Sequence, residues 1–408
     1  MTDAVVAPPA PPVSATPVSM ASPVAFTGVR SDFRRLVMRG AMLELITLGF
    51  YRFWLATDMR RHLWSHTTVD GDAPEYTGTT KELLIGFLVA LAILVPVYLA
   101  YFLIGLEAER LQTFASVPLV LFFYLFAQFA IYRARRYRLS RTIWRGVRFW
   151  MTGSGWAYAW RAGLWTLLVI VTLGLALPWS HAALERYKMR HSFFGDLPGR
   201  FDAPASALFK TIWWLWLATF LMIALTGGLA MISPPAAGLL GTLITLWLPF
   251  GYAIYQAHVW RWWVSGIRFG DVRFESKLTD IALVDLYWTV IGWSWLIMIV
   301  LFAWIAVVIG LVYLFVILSG AGSDAFATIM QNSLATGLII FVIVLGYLAC
   351  ALAFGIVLRM YLRRDVWARV VASTVVYNIS AADNVVAKGA AANALGEGFA
   401  DGLDIGGF

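Results

Sequence analysis

The sequence predicts an all-α, multi-pass membrane protein. The expected plan is about six spanning helices in three pairs, two re-entrant or in-plane helices, and short cytoplasmic β-hairpins. Three observations carry this. The 408 residues are 61% hydrophobic and only 13% charged, too little charge to cover the surface of a soluble domain of that size. Apolar runs of about 20 residues recur, the length that crosses roughly 30 Å of hydrocarbon. The charges that exist gather on one side of those runs.

The apolar runs fall at 83–105, 114–132, 211–232, 236–257, 286–318 and 334–358. Of the 31 Lys and Arg residues, only Arg110 lies in the loops that join the members of each pair, 106–113, 233–235 and 319–333. Lys and Arg favour the cytoplasmic side, so both termini and the basic segments are expected inside a bacterial inner membrane. The pI near 9.6 then reflects this asymmetry and gives no ground for nucleic-acid binding. Segments 36–55 and 162–179 break the scheme, because basic residues flank both ends of each. Arg34 and Arg35 precede the first, with Arg60 and Arg61 after it; Arg145 and Arg148 precede the second, with Arg186 and Lys188 after it. Each is expected to start and finish on the cytoplasmic face, bending at Gly49 or Gly174. Such bends at membrane depth need burial in protein.

These two segments hold one repeated element. Thr47-Leu48-Gly49 leads to Trp54, Arg61 and His66; Thr172-Leu173-Gly174 leads, at the same spacings 125 residues later, to Trp179, Arg186 and His191. Repetition at a fixed spacing marks a chain built from units. Basic stretches ending in glycine follow: Arg61 to Asp70-Gly71, Arg136 to Gly146, Arg186 to Gly195-Asp196, and Arg261 to Gly266. A glycine after a polar residue suits a tight turn between short strands. One such hairpin is marginal alone, so four at one face are expected to pair into a small sheet. Their interleaved Arg, Trp and Tyr suit anionic lipid head groups, each basic side chain near such a leaflet being worth about 1 kcal/mol. Arg60, Arg61, Trp64, Arg135, Arg136 and Arg186 are the candidate lipid contacts.

The string Phe26-Thr27-Gly28, the first Thr-Leu-Gly-to-Trp element, Arg60-Arg61 with Trp64, and Gly71-Asp72 through Tyr76-Thr77-Gly78 resemble the YjgN family. This is a family of bacterial inner-membrane proteins of unknown function. The resemblance spans roughly 26–380 and implies a location and an architecture, with no catalytic or ligand residues to carry over. Residues 1–25 read as a disordered Pro/Ala-rich tail, 26–380 as the membrane domain, and 381–408 as a disordered Ala/Gly-rich acidic tail.

Catalytic signals are sparse. No nucleotide loop, nucleophile elbow or zincin motif occurs, so no enzyme and no cofactor is expected. His62 and His66 have metal-ligand spacing but no evident third ligand. The single Cys350 excludes a thiolate site. Glu44, a carboxylate in an apolar segment, marks the candidate pathway residue, with Arg39 and Arg52 as its expected partners. The function expected is therefore the binding or organising of anionic lipid, or of a protein partner that the sequence does not identify. The competing reading is a transporter or channel for a small or lipid-like solute.

Overall fold

A computed structural model describes residues 21–109, 116–319, 329 and 331–392. The N-terminal tail before Ala21, Arg110 and Asp324 of the two predicted loops, and the acidic end beyond residue 392 lie outside the described residues. The all-α expectation is corrected first: a ten-stranded antiparallel sheet organises the chain. Its strands are β1 (Ala21–Phe26), β2 (Thr67–Val69), β3 (Glu75–Tyr76), β4 (Thr142–Trp144), β5 (Val147–Met151), β6 (Ser192–Phe194), β7 (Leu197–Phe201), β8 (Ile267–Phe269), β9 (Val272–Ser276) and β10 (Thr374–Tyr377). Their order is β2-β1-β10-β9-β8-β7-β6-β5-β4-β3. The end strands β2 and β3 are consecutive in the chain, linked through a turn that a Val69–Asp72 bridge closes, and the sheet curls into a half-barrel. A small sheet from four hairpins underestimates it. The fifth strand pair, β1 with β10, joins the two ends of the described chain.

Strand registers place every described α-helix on one rim. Phe26 pairs with Thr67, Tyr76 with Thr142, Met151 with Ser192, Phe201 with Ile267, and Thr374 with Ser276. Each of these pairs stands where strands meet helices. Five pairs of helical arms therefore leave the same edge. They are α1 (Arg30–Ile46) with α2 (Arg52–Ser65), α3 (Thr80–Glu109) with α4 (Ser116–Ser140), α5 (Gly155–Val171) with α6 (Leu177–Arg190), and α7 (Ala205–Ile232) with α8 (Pro234–Gly266). The fifth joins α9 (Val284–Leu318) to α10 (Ser333–Val357), which passes through a π-helical turn, Leu358–Asp365, into α11 (Val366–Ala372). One backbone hydrogen bond locks each pair at the rim: Thr27 to His66, Thr77 to Arg141, Thr152 to His191, Asp202 to Gly266, and Lys277 to Ser373, at 2.8–2.9 Å.

The opposite rim carries the turns. Asp70-Gly71 and Arg145-Gly146 have positive φ at both residues, which matches the twist of a tight hairpin. The fourth turn corrects the sequence reading: it is Gly270-Asp271, with φ +55° at Gly270, and not Gly266. Gly266 ends α8, where a Cβ would strike the Phe201 ring. β1 was expected in the disordered tail, yet its Ser22 and Val24 are buried in alternation with exposed neighbours. That period of two is a half-buried strand.

Among the described residues, five helices are long and apolar enough to cross a membrane by length and composition: α3, α7, α8, α9, and the run from Ser333 to Ala372. The sixth predicted span belongs to α4, whose apolar half adjoins residues outside the description and whose other half holds Arg133, Arg135, Arg136 and Arg138. The two Thr-Leu-Gly segments form something shorter. Each breaks into two helices at its Leu-Gly pair. Gly49 N donates to Glu44 O and Leu48 N to Leu45 O; Gly174 N donates to Val169 O and Leu173 N to Ile170 O. This is the Schellman closure of a helix C-terminus, with leucine in the left-handed position at φ 50° and 51°. Glycine is the usual occupant, because a left-handed L-residue costs roughly 1–2 kcal/mol. Leu48→Gly is thus expected to raise the unfolding free energy in detergent by about 1 kcal/mol, read from the denaturation midpoint. Leu48 is 88% and Leu173 70% exposed, so no packing explains the leucines.

Candidate functional site

The concave face of the half-barrel is apolar. Val24, Trp144, Phe194, Val272 and Val376 form one buried cluster, with Val376 fully enclosed at 0% exposure. On the turn rim this interior is covered by the segment after β10: Ile379 and Ala382 face into it. Arg145 fastens that segment, reaching Asp70 (3.0 Å), Asp72 (2.5 Å) and Asp383 (2.9 Å). Beyond it, Val386 N donates to Asp196 at 3.0 Å and Ala392 N to the Ser140 hydroxyl at 3.0 Å.

A cavity of about 380 Å³ remains between this floor and the helix rim, lined by Trp64, Trp144, Phe149, Trp263, Trp367 and Val376 among others. Trp64 and Trp367 stack at 5.3 Å, and their indole N–H groups donate to Thr142 and Thr67 at 3.0 Å. Those bonds satisfy both indole N–H groups with hydroxyls that also line the cavity. Arg135 and Arg138, near the end of α4, also line it.

Beside the cavity, Arg135 and Lys188 share one carboxylate, that of Glu185, while the buried Arg138 donates to Ala134 O. Arg135 Nη1 stands 3.2 Å from Glu185, and its guanidinium lies 5.9 Å from the Trp263 ring. Lys188 forms an ion pair with Glu185 one helical turn away. Burial alone would push the Glu185 carboxyl up. Lys188 and then Arg135 outweigh it and hold the carboxyl down at about 2. Burial also lowers Lys188. Arg135 and Arg138 thus bring two guanidinium groups to the lining of an apolar cavity. That arrangement suits a ligand with an anionic head and an apolar body.

A profile of the family described as bacterial protein of unknown function (DUF898) matches residues 21–402. The chain belongs to this family. The match starts at the first residue of β1, so the DUF898 region includes every described strand and helix, and the YjgN resemblance holds. No curated protein and no solved structure matches the chain.

Within this DUF898 fold the predicted contacts separate. Trp64 and Arg135 reach the cavity. Arg60 is buried on α2 against Tyr76, 3.4 Å from its hydroxyl. Arg61 donates to Gly78 O at 3.0 Å, Arg136 lies outside the cavity lining, and Arg186 is exposed. Glu44 pairs with Arg359 of the π-helical turn, at 2.8 Å, and is not in the cavity lining. His62 and His66 stack at 4.2 Å, and burial lowers His62 first, with His66 adding to it. Among the described residues no cluster of three metal-ligating side chains occurs. Sequence reasoning missed Arg138, Lys188, Glu185, Trp263 and Trp367. Arg138 and Lys188 stand in two separate basic runs, Glu185 reads from the sequence only as a capping or salt-bridge partner of His181, and nothing marks which of these side chains turn inward.

A more polar recess of about 400 Å³ lies between α7 and α8. Its charges are already matched, with Arg261 2.7 Å from Asp280 and Arg268 3.6 Å from Asp202.

Proposed function

We propose that this protein is a multi-pass protein of the bacterial cytoplasmic membrane that holds an anionic amphiphile where the helices meet the sheet. The head lies at Arg135 and Arg138; the apolar body enters the half-barrel. The observation that carries this is the presence of Arg135 and Arg138 in the lining of an aromatic cavity of about 380 Å³, within the roughly 300–1,000 Å³ typical of small-molecule sites. The apolar helices all leave one rim, and the basic residues collect at that rim, which supports a cytoplasmic sheet by the bias of Lys and Arg.

Helical arms of 17 and 14 residues in α1 and α2, and the same in α5 and α6, support the re-entrant reading. At about 1.5 Å per residue they extend roughly 21–26 Å, short of a full crossing. Cysteines placed at Ser154 and Asp196 are expected to react with an impermeant reagent only from the cytoplasmic side. Labelling of the two from opposite sides would refute that topology. For the ligand, the unfolding temperature is compared in nanodiscs of anionic phosphatidylglycerol and of zwitterionic phosphatidylcholine. A higher temperature in the anionic disc is the expected result; equality would count against the proposal.

A further inference from the structure

A second cavity lies nearer the helix tips. Gly174 and Pro178 of the α5–α6 arm face Trp216 on α7 and Trp247 and Gly251 on α8 across an apolar groove of about 270 Å³. Trp216 Nε1 donates to Leu173 O at 2.8 Å and ties the turn of the arm to α7. Leu175, Trp213, Leu248 and Tyr252 line the groove and are exposed, so it opens on the outer, lipid-facing surface of the helices.

Helices α6 and α8 connect this groove to the half-barrel. On α6, Leu177, His181 and Glu185 follow one another at steps of four, and so share a face. On α8, Gly251, Tyr255, Val259 and Trp263 do the same. Tyr255 lines the groove and Trp263 lines the half-barrel cavity; eight residues of helix separate them by about 12 Å. Between the two cavities the Tyr255 hydroxyl meets His181 Nε2 at 3.2 Å. Burial lowers the His181 imidazole, which makes this a neutral polar contact one turn from Glu185 and Arg135. The opposite rim is shut by Arg145 and the segment it fastens.

We propose that the groove is the membrane-side entrance to the half-barrel cavity, and that a single-chain anionic amphiphile passes from the bilayer between α6 and α8, across the Tyr255–His181 contact. This rests on the half-barrel cavity being the binding site. The head group moves from the lipid interface to the cations at Arg135, and the neutral Tyr–His pair gives it hydrogen-bonding partners on the way. A ligand arriving from water would not depend on the groove.

The test uses a diazirine-bearing fatty acid in nanodiscs, with photolabelling of the peptide containing Trp367 followed in time. The parent protein should label there. Gly251→Leu fills the groove and should slow labelling at least tenfold while reaching the same final extent. Leu248→Trp, at an exposed position on the groove edge, should also slow it, and it guards against a folding defect at Gly251. Gly251→Ala should label at the parent rate, since its methyl would meet Trp247 at an ordinary 3.5 Å. Unchanged rates in both Gly251→Leu and Leu248→Trp would overturn the entrance and leave the binding site standing. Absence of label at Trp367 in the parent would overturn both.

Discussion

Replacing Glu185 by alanine is expected to lower the unfolding free energy by about 3–5 kcal/mol, the cost of leaving buried charge without its partner. Glu185 is 9% exposed and is bound by both Arg135 and Lys188. Its removal leaves two cations beside the cavity with no carboxylate near them. The measurement is the denaturant midpoint in mild detergent; a loss under about 1 kcal/mol would show that the cluster is hydrated and cheap. A pH effect accompanies it. The folded carboxyl sits near 2, below its ordinary 4.5. The folded state therefore binds this proton less readily than the unfolded chain. Stability from Glu185 is fully present above about pH 4.5 and is lost as pH falls from there toward 2. Glu185→Gln should flatten that acid limb.

Arg135→Gln combined with Arg138→Gln is expected to weaken binding of an anionic amphiphile by about 100-fold or more. Hydrogen bonds to charged groups contribute about 1.5–3 kcal/mol each, and about 1.4 kcal/mol is a factor of ten. Lys188 keeps Glu185 paired in this variant, so the fold should persist. A neutral ligand of the same shape should lose far less, and the contrast between the two ligands separates head-group recognition from loss of packing.

The long apolar helices were legible because composition marks them: α9 is apolar from Trp295 to Leu318 apart from Gly310, and it is one of the five described helices long and apolar enough to cross a membrane. The turns at Asp70-Gly71, Arg145-Gly146 and Gly195-Asp196 were legible through glycine. The sheet that unites them was not. Strands of two to six residues are too short for a period of two to stand out, and β1 lies in a Pro/Ala-rich stretch that composition assigns to disorder. Its partner β10 is some 350 residues away, a pairing that local signals cannot reveal. Gly266 misled because glycine marks helix ends and close contacts as well as turns; the real turn follows at Gly270. Glu44 pairs with Arg359, which is distant in sequence and which only folding brings near. The candidate site was half legible. Arg135 and Trp64 were chosen from density of charge and aromatic residues, whereas Glu185 and Lys188 belong to the site because one face of α6 turns toward α4 and α8.

Native mass spectrometry of the protein released from mild detergent tests the central claim most directly. The account predicts one anionic lipid or fatty acid retained per wild-type chain, and its loss from the Arg135→Gln, Arg138→Gln variant under conditions where that variant is still folded. A wild-type chain that emerges with no anionic adduct, or a double variant that keeps it, would contradict the account.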